Sequence, residues 1–117
     1  MAHRAFESGA TRNPADHKLR YEGFLCPEVL HRFACYMHAH RHRPDGTLRE
    51  PDNWQLGIPS DVYLDSLIRH TIDLWRLRRG HHPIDPDTGE ASGEADLCCA
   101  IMFNVMGYLK NYMEDGQ

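Results

Sequence analysis

Four polar side chains lie at one edge of a strongly apolar segment of this 117-residue chain. Ser66, His70 and Asp73 lie on the edge itself, and Arg69 lies beside them toward solvent. Residues three or four positions apart are neighbours on a helix, so His70 and Asp73 can share a hydrogen bond or a ligand. A carboxylate beside an imidazole raises the basicity of the ring and fixes its orientation, which suits acid–base chemistry. The same spacing is also typical of a core histidine that Asp73 holds in place.

A second polar pattern runs along the most apolar segment, near the C-terminus. Small and polar residues recur there within a narrow arc: Asp96, Ala100, Asn104, Gly107 and Asn111. One interpretation is a close helix–helix contact whose polar groups are hydrogen-bonded, because unpaired burial is costly. The other places Asp96 and Asn104 across a cleft from the His70 edge. Carboxylate oxygens, combined with water and substrate phosphate, are ligands that Mg²⁺ prefers.

Three segments with helical spacing must position these groups. The first begins at Pro27, because proline is tolerated in a first helical turn, and ends near residues 40–43. The second begins at Ser60, the expected N-cap, and ends at Gly80. The third covers about residues 93–113. No segment alternates as a strand does, so we expect an all-α bundle of three main helices.

The domain organisation follows from the same reading. Residues 1–16 are polar and irregular and are predicted to form a flexible arm, and residues 17–117 to form one all-α domain. Three helices of this hydrophobicity carry more apolar surface than one small bundle can bury. We therefore expect a homodimer or higher homo-oligomer, assembled through the second and third helices.

Composition excludes several classes of protein. The net charge is −4, and no run approaches the ~18 apolar residues of a membrane span, so neither a membrane protein nor a secreted one is expected. The basic residues are too few and scattered for nucleic-acid binding. The four cysteines contain no CxxC pair, which disfavours structural zinc. Residues 85–89 have their glycine at the fifth position, one too early for an EF-hand loop.

The nine histidines do not form an obvious cluster. His38, His40 and His42 are interpreted as a solvated helix end, where positive charge interacts with the helix dipole. His81 and His82 follow the predicted cap at Gly80 and are interpreted in the same way. Only His70 is expected to have a chemical role.

Several longer motifs extend over about residues 17–112. They are Lys18-Leu19-Arg20-Tyr21, Asn53-Trp54-x-x-Gly57, Tyr63-x-x-Ser66-x-x-Arg69-His70, Asp85-Pro86-Asp87-Thr88-Gly89 and Asp96…Ala100…Phe103-Asn104…Leu109. Together they resemble small phage and prophage dATP/dGTP diphosphohydrolases. Those proteins look like distant relatives of the all-α, MazG-like nucleotide pyrophosphohydrolases.

The resemblance implies an oligomeric helical enzyme that needs Mg²⁺. It would cleave purine deoxynucleoside triphosphates to monophosphates and pyrophosphate, in the bacterial cytoplasm of the host if the chain is phage-encoded. The implied catalytic residues are His70, Asp73 and Asp96. MazG-like enzymes carry Glu-x-x-Glu and Glu-x-x-Asp on their two metal-binding helices, and this chain offers Asp73, Glu94 and Asp96 as metal ligands there.

The resemblance also implies a substrate-binding set. Its members are Lys18, Arg20, Asn53, Trp54, Tyr63, Ser66, Arg69 and Asn104. Arg69 or Lys18 would meet phosphate oxygens, because cationic donors bind them strongly. Trp54 or Tyr63 would stack on the base.

Two other functions stay open at the level of sequence. One is a non-catalytic phage protein on the same scaffold that binds a nucleotide, with a sequestering or regulatory role. The other is a purely structural helical interaction module. Pyrophosphate release and nucleotide binding distinguish the three.

Overall fold

A computed structural model describes residues 3–115, so Met1 and Ala2 of the predicted arm, and residues 116–117 of the predicted domain, lie outside the described residues. The chain divides into two compact units after Leu30. The first unit contains a small antiparallel hairpin of strands β1 (Arg4–Ala5) and β2 (Thr11–Arg12). Two-residue strands are too short to give an alternating pattern, which is why the sequence does not reveal them.

The hairpin closes through a turn at Gly9, which has φ +91°. The Phe6 amide donates a hydrogen bond to the Ala10 carbonyl (2.9 Å), and the Arg4 Nε donates to the Asn13 carbonyl (2.9 Å). A single-turn helix, α1 (Tyr21–Phe24), follows. All of these residues are exposed, and the first unit contributes no buried side chain among the described residues.

Three longer helices confirm the predicted all-α character. Helix α2 covers Pro27–Ala39, α3 covers Ser60–Arg78 and α4 covers Glu94–Glu114. A 3-10 turn at Asn53–Leu56 lies in the connection before α3. No helix of residues 3–115 has both the length and the apolar character needed to cross a bilayer.

The two ends of α3 differ in how well they were predicted. Gly80 has φ +90° directly after the helix, as expected for a glycine C-terminal cap. The predicted N-cap was wrong by one position, because Ser60 is the first helical residue and Pro59 precedes it. The Ser60 hydroxyl instead accepts a hydrogen bond from Asn111 of α4 (3.2 Å), which joins the two helices.

The core of the second unit is the contact between α3 and α4. Tyr63 is only 2% exposed, and its ring lies on Gly107, where an added Cβ would be 2.2 Å from the ring carbon Cζ. Asn104 is buried, and its amide donates to the Ala100 carbonyl (2.8 Å). From Ala100 to Asn111 the small and polar stripe of α4 is therefore a close helix–helix contact with satisfied polar groups, the first of its two interpretations. Asp96, at the start of the stripe, is about half exposed and is not part of this contact.

The connection between α3 and α4 is a compact turn that ends beside both helices. Pro83 is fully buried, and the Asp85 amide donates to the Glu90 carbonyl (2.8 Å). The Asp85 carboxylate accepts a hydrogen bond from the Asp87 amide (2.8 Å). These bonds hold a short acidic loop between the end of α3 and the start of α4.

Candidate functional site

A cleft of about 430 Å³ lies in the second unit, bounded by α2, α3, the acidic loop and the first turns of α4. It brings together five residues that were selected from the sequence: Ser66, Arg69, His70, Asp73 and Asp96. Successive turns of α3 supply the first four of these residues, and α4 supplies the last. We refer to this cavity as the acidic cleft.

The acidic cleft has more negative than positive groups. Its carboxylates are Asp73, Asp85, Asp87, Glu90 and Asp96. The basic groups are the Arg69 guanidinium and the imidazoles of His40 and His70. A cavity lined mainly by one sign of charge attracts the opposite sign. The acidic cleft therefore favours a cation, and it favours a polyphosphate only when a cation accompanies it.

Both predicted catalytic carboxylates are held by arginines. Asp73 accepts a hydrogen bond from Arg76 (3.0 Å), and Asp96 accepts one from Arg32 of α2 (2.6 Å). The Arg32–Asp96 pair is about half exposed on both sides, so water screens it and a competing cation can displace it at small cost. The guanidinium of Arg69 is positioned differently, because it donates to the Ser66 hydroxyl (2.9 Å) on its own helix.

His70 is half-buried at the floor of the acidic cleft. Burial lowers its pKa below the ordinary value of 6.5, and the neighbouring Arg69 charge lowers it further. Asp73, Asp85 and Asp87 act in the opposite direction but do not outweigh these effects. The expected rise in the basicity of His70 is therefore wrong. Its buried Nδ1 has no hydrogen-bond partner within residues 3–115.

The predicted metal ligands do not form one group. Glu94 is exposed, lies 3.8 Å from Arg78 and is not among the residues of the acidic cleft. Within residues 3–115, no three His, Cys, Asp or Glu side chains are placed to hold a metal ion together. These residues do not fit a resident ion held by protein alone. Their carboxylates do fit Mg²⁺ that arrives on a polyphosphate, since Mg²⁺ commonly uses one or two carboxylates with water and substrate oxygens.

A second cavity, of about 320 Å³, contains Asn53 and Trp54. It lies between the end of α2, the connection that follows it, and Phe103 of α4. Tyr36 and His40 line both this cavity and the acidic cleft, with ring centroids 3.9 Å apart. His40 Nδ1 donates to the Tyr36 carbonyl (2.8 Å), which fixes the imidazole over the tyrosine. We refer to this second space as the aromatic cavity.

Four predicted substrate-binding residues line neither space. Tyr63 and Asn104 are buried in the α3–α4 contact, so Tyr63 presents no face to a base. Lys18 and Arg20 are exposed residues of the first unit. Burial also raises the pKa of the Tyr63 hydroxyl, which keeps it protonated in the core.

Sequence reasoning missed the loop carboxylates, His40 and two arginines. The carboxylates of Asp85 and Asp87 were considered as a calcium loop and as part of a family motif, and Glu90 was not singled out, although the clustering of all three in one short turn was a usable signal. His40 was assigned to a solvated helix end. Arg41 and Arg49 of the aromatic cavity had no signal at all, because only the fold of the connection brings them together.

Comparison of the chain with protein-family models, curated proteins and solved structures found no match. The geometry of the acidic cleft and the aromatic cavity thus supplies the support for a function.

Proposed function

We propose that this chain is a Mg²⁺-dependent pyrophosphohydrolase that cleaves purine deoxynucleoside triphosphates to monophosphates and pyrophosphate in the bacterial cytoplasm. The observation that carries the proposal is the acidic cleft, where Asp73 and His70 of α3 lie in the same space as Asp96 of α4. A negative cleft of this kind suits the magnesium complex of a triphosphate and disfavours the bare anion.

The carboxylates of Asp73 and Asp96 would bind the Mg²⁺ of the substrate once they leave Arg76 and Arg32. When bound, Mg²⁺ neutralises phosphate charge and makes a coordinated water a stronger nucleophile. The exposure of the Arg32–Asp96 pair supports this exchange, because an exposed ion pair is worth only about 0–1 kcal/mol.

His70 would take the proton of the attacking water. Its lowered pKa keeps the imidazole neutral near pH 7, so it can accept a proton. Arg69, which Ser66 holds in place, would donate to phosphate oxygens. Attack at the α-phosphorus then breaks the bond to the bridging oxygen, and pyrophosphate leaves.

The direct test is release of pyrophosphate from each of the four deoxynucleoside triphosphates with Mg²⁺. We expect release from dATP and dGTP above the pyrimidine substrates. Asp73→Asn and Asp96→Asn should each lower the rate by about 100-fold or more, because metal binding in such sites is worth several kcal/mol. Asp65→Asn is the matched control, since Asp65 is an exposed residue of α3 outside the acidic cleft and should keep full activity.

One observation favours non-catalytic nucleotide binding as the second candidate. Both central carboxylates are already neutralised by arginines, and no three-ligand metal group is present in residues 3–115. Saturable binding of Mg²⁺–dATP with no pyrophosphate release would contradict the hydrolase and support this candidate. If neither nucleotide binding nor pyrophosphate release is detected, the structural helical module is the remaining candidate.

We also propose that the chain forms a homodimer through the outer face of α3. This face carries an apolar stripe, exposed by 41–66%, of Leu64, Ile68, Ile72 and Trp75. By helical spacing, the acidic Asp61 lies at one end of the stripe and the basic Arg79 follows its other end. Two copies related by a two-fold axis would pair antiparallel, so each Asp61 meets Arg79 of the second copy.

Sedimentation velocity tests the dimer with a charge exchange. Asp61→Arg should dissociate it, because the substitution opposes two like charges at each end of the stripe. The double variant Asp61→Arg with Arg79→Asp should restore it. A wild-type monomer at all concentrations, or a dimer that Asp61→Arg leaves unchanged, would contradict this interface.

A further inference from the structure

The aromatic cavity is lined by two half-buried arginines that the proposed chemistry does not use. Arg41 and Arg49 both line it. Among the ion pairs of residues 3–115, neither arginine has a carboxylate partner. Glu50 lines the same cavity but is exposed and pairs with neither of them. The cavity therefore holds two arginine charges and one carboxylate, and neither arginine is ion-paired in residues 3–115.

Backbone carbonyls hold both guanidinium groups in position. Arg41 Nε donates to the Arg49 carbonyl (2.8 Å). Arg49 Nη1 donates to the carbonyls of His40 and His42, both at 3.2 Å. Neutral carbonyls fix the orientation of a guanidinium without cancelling its charge. Within residues 3–115, the Nη2 groups of both arginines have no hydrogen-bond partner, so the planar forks keep donors for an anion.

The rest of the aromatic cavity suits a flat ring. Trp54 is half-buried and meets Phe103 edge to face, with centroids 5.8 Å apart. Tyr36 and His40 form a tilted stacked pair that lines both this cavity and the acidic cleft. Asn53 adds an amide that can both donate and accept hydrogen bonds at the edge of a base. A cavity of about 320 Å³ is within the range that binds small organic ligands.

We propose that the aromatic cavity binds the monophosphate portion of a purine nucleotide, with Arg41 and Arg49 on the phosphate and Trp54 and Asn53 on the base. The assignment rests on the proposed function for the identity of the ligand as a nucleotide. Tyr36 and His40 line both spaces, so the α-phosphate of a bound triphosphate would lie at this boundary and its outer phosphates in the acidic cleft. Because the arginines supply the charge, this cavity binds a nucleoside monophosphate without any metal ion.

Calorimetric titration of the full chain with dGMP and dAMP in EDTA tests the site. We expect saturable binding, and the matching deoxynucleosides should bind at least about tenfold more weakly, because hydrogen bonds to a charged group contribute about 1.5–3 kcal/mol. Arg41→Gln and Arg49→Gln should each weaken dGMP binding by about tenfold or more. Arg78→Gln is the matched control, since Arg78 pairs with Glu94 outside both spaces and its loss should leave binding unchanged.

Two further measurements keep the test decisive if a glutamine variant loses its fold. Arg41→Lys and Arg49→Lys keep the charge but lose the planar fork, so dGMP should bind more weakly than to wild type. In Trp75→Phe, Trp54 is the only tryptophan of the chain, and its fluorescence should change as dGMP binds. Equal affinity for nucleoside and monophosphate, folded arginine variants that bind like wild type, or an unchanged Trp54 signal would each overturn the site.

Failure here and failure of the proposed function have different signatures. If dGMP binds without metal but no triphosphate is cleaved, the hydrolase is contradicted and this site stands. If pyrophosphate is released but no monophosphate binds in EDTA, this site is overturned and the hydrolase stands.

Discussion

The acidic cleft and the aromatic cavity share one wall but carry opposite charge. The cleft has five carboxylates, two of which are paired with arginines, whereas the aromatic cavity has two arginines without a carboxylate partner in the described residues. Helix spacing and a short loop place the carboxylates, while backbone carbonyls hold the arginines. From this contrast we predict that one space needs a cation before it accepts an anion, and that the other accepts an anion directly.

Chelation of divalent metal should separate the two spaces most strongly. In EDTA we expect the affinity for dATP to fall by about 100-fold or more towards that for dAMP, because the outer phosphates then meet unneutralised carboxylates. The affinity for dAMP should be unchanged. Calorimetry with and without Mg²⁺ measures both, and equal losses for the two nucleotides would contradict the division of charge.

Gly107→Ala should disturb the scaffold that both spaces share. The new Cβ would lie 2.2 Å from Tyr63, whose ring packs edge to face on Phe103 of the aromatic cavity. Overpacking of this kind costs about 1–3 kcal/mol, which corresponds to a fall in Tm of roughly 5–20 °C. Gly93→Ala is the control, because nothing lies within 4 Å of its added Cβ. A thermal melt of both variants distinguishes tight packing from loose packing.

The pH dependence of turnover should have its acidic limb below 6.5. Burial lowers the pKa of His70, so the imidazole stays neutral until the pH falls through that lowered value. Folding stability should fall in the same direction. As the pH drops below 6.5, the unfolded chain binds a proton at His70 before the folded chain does, and this favours unfolding. A profile of kcat/KM against pH measures it, with His70→Gln expected to remove the limb. Monophosphate binding in the aromatic cavity should show no such limb, and a limb above 6.5 would contradict the assignment.

Arg32→Gln should give the smallest effect of these changes. It should raise the affinity for Mg²⁺, whereas the other changes lower affinity, stability or turnover. The substitution releases Asp96 from a half-exposed ion pair worth about 0–1 kcal/mol, so the apparent affinity for Mg²⁺ with a triphosphate should rise by about two- to fivefold. Titration of turnover with Mg²⁺ provides the measurement. A weaker metal response in this variant would mean that Arg32 assists the carboxylate and does not compete for it.

The prediction of the helices succeeded where local chemistry decides the outcome. Pro27 begins α2 and Gly80 follows α3, as the conformational preferences of proline and glycine require. Helical spacing also grouped the polar edge of α3 correctly, but only the packing of α3 against α4 brings Asp96 into the same space. The expected N-cap at Ser60 failed, because its hydroxyl is used by Asn111 across the helix pair.

Roles that depend on burial could not be predicted from spacing. Tyr63 was expected at a base, but it lies in the core because Gly107 leaves room for its ring. Asn104 was expected across the cleft, but its amide is satisfied within its own helix. The direction of the pKa shift of His70 likewise depends on how deeply the ring is buried, which sequence does not report.

The sequence by itself determined the three long helices, their ends to within about four residues, and the polar edge of α3, because each depends on residues close together in the chain. Only the tertiary structure decided which of those groups reach a cavity and which are buried. It also decided that the loop carboxylates join Asp73 and Asp96, and that Arg41 and Arg49 face one space. The reason is physical: the electrostatic character of a site depends on charges brought together through space, and chain folding sets those distances.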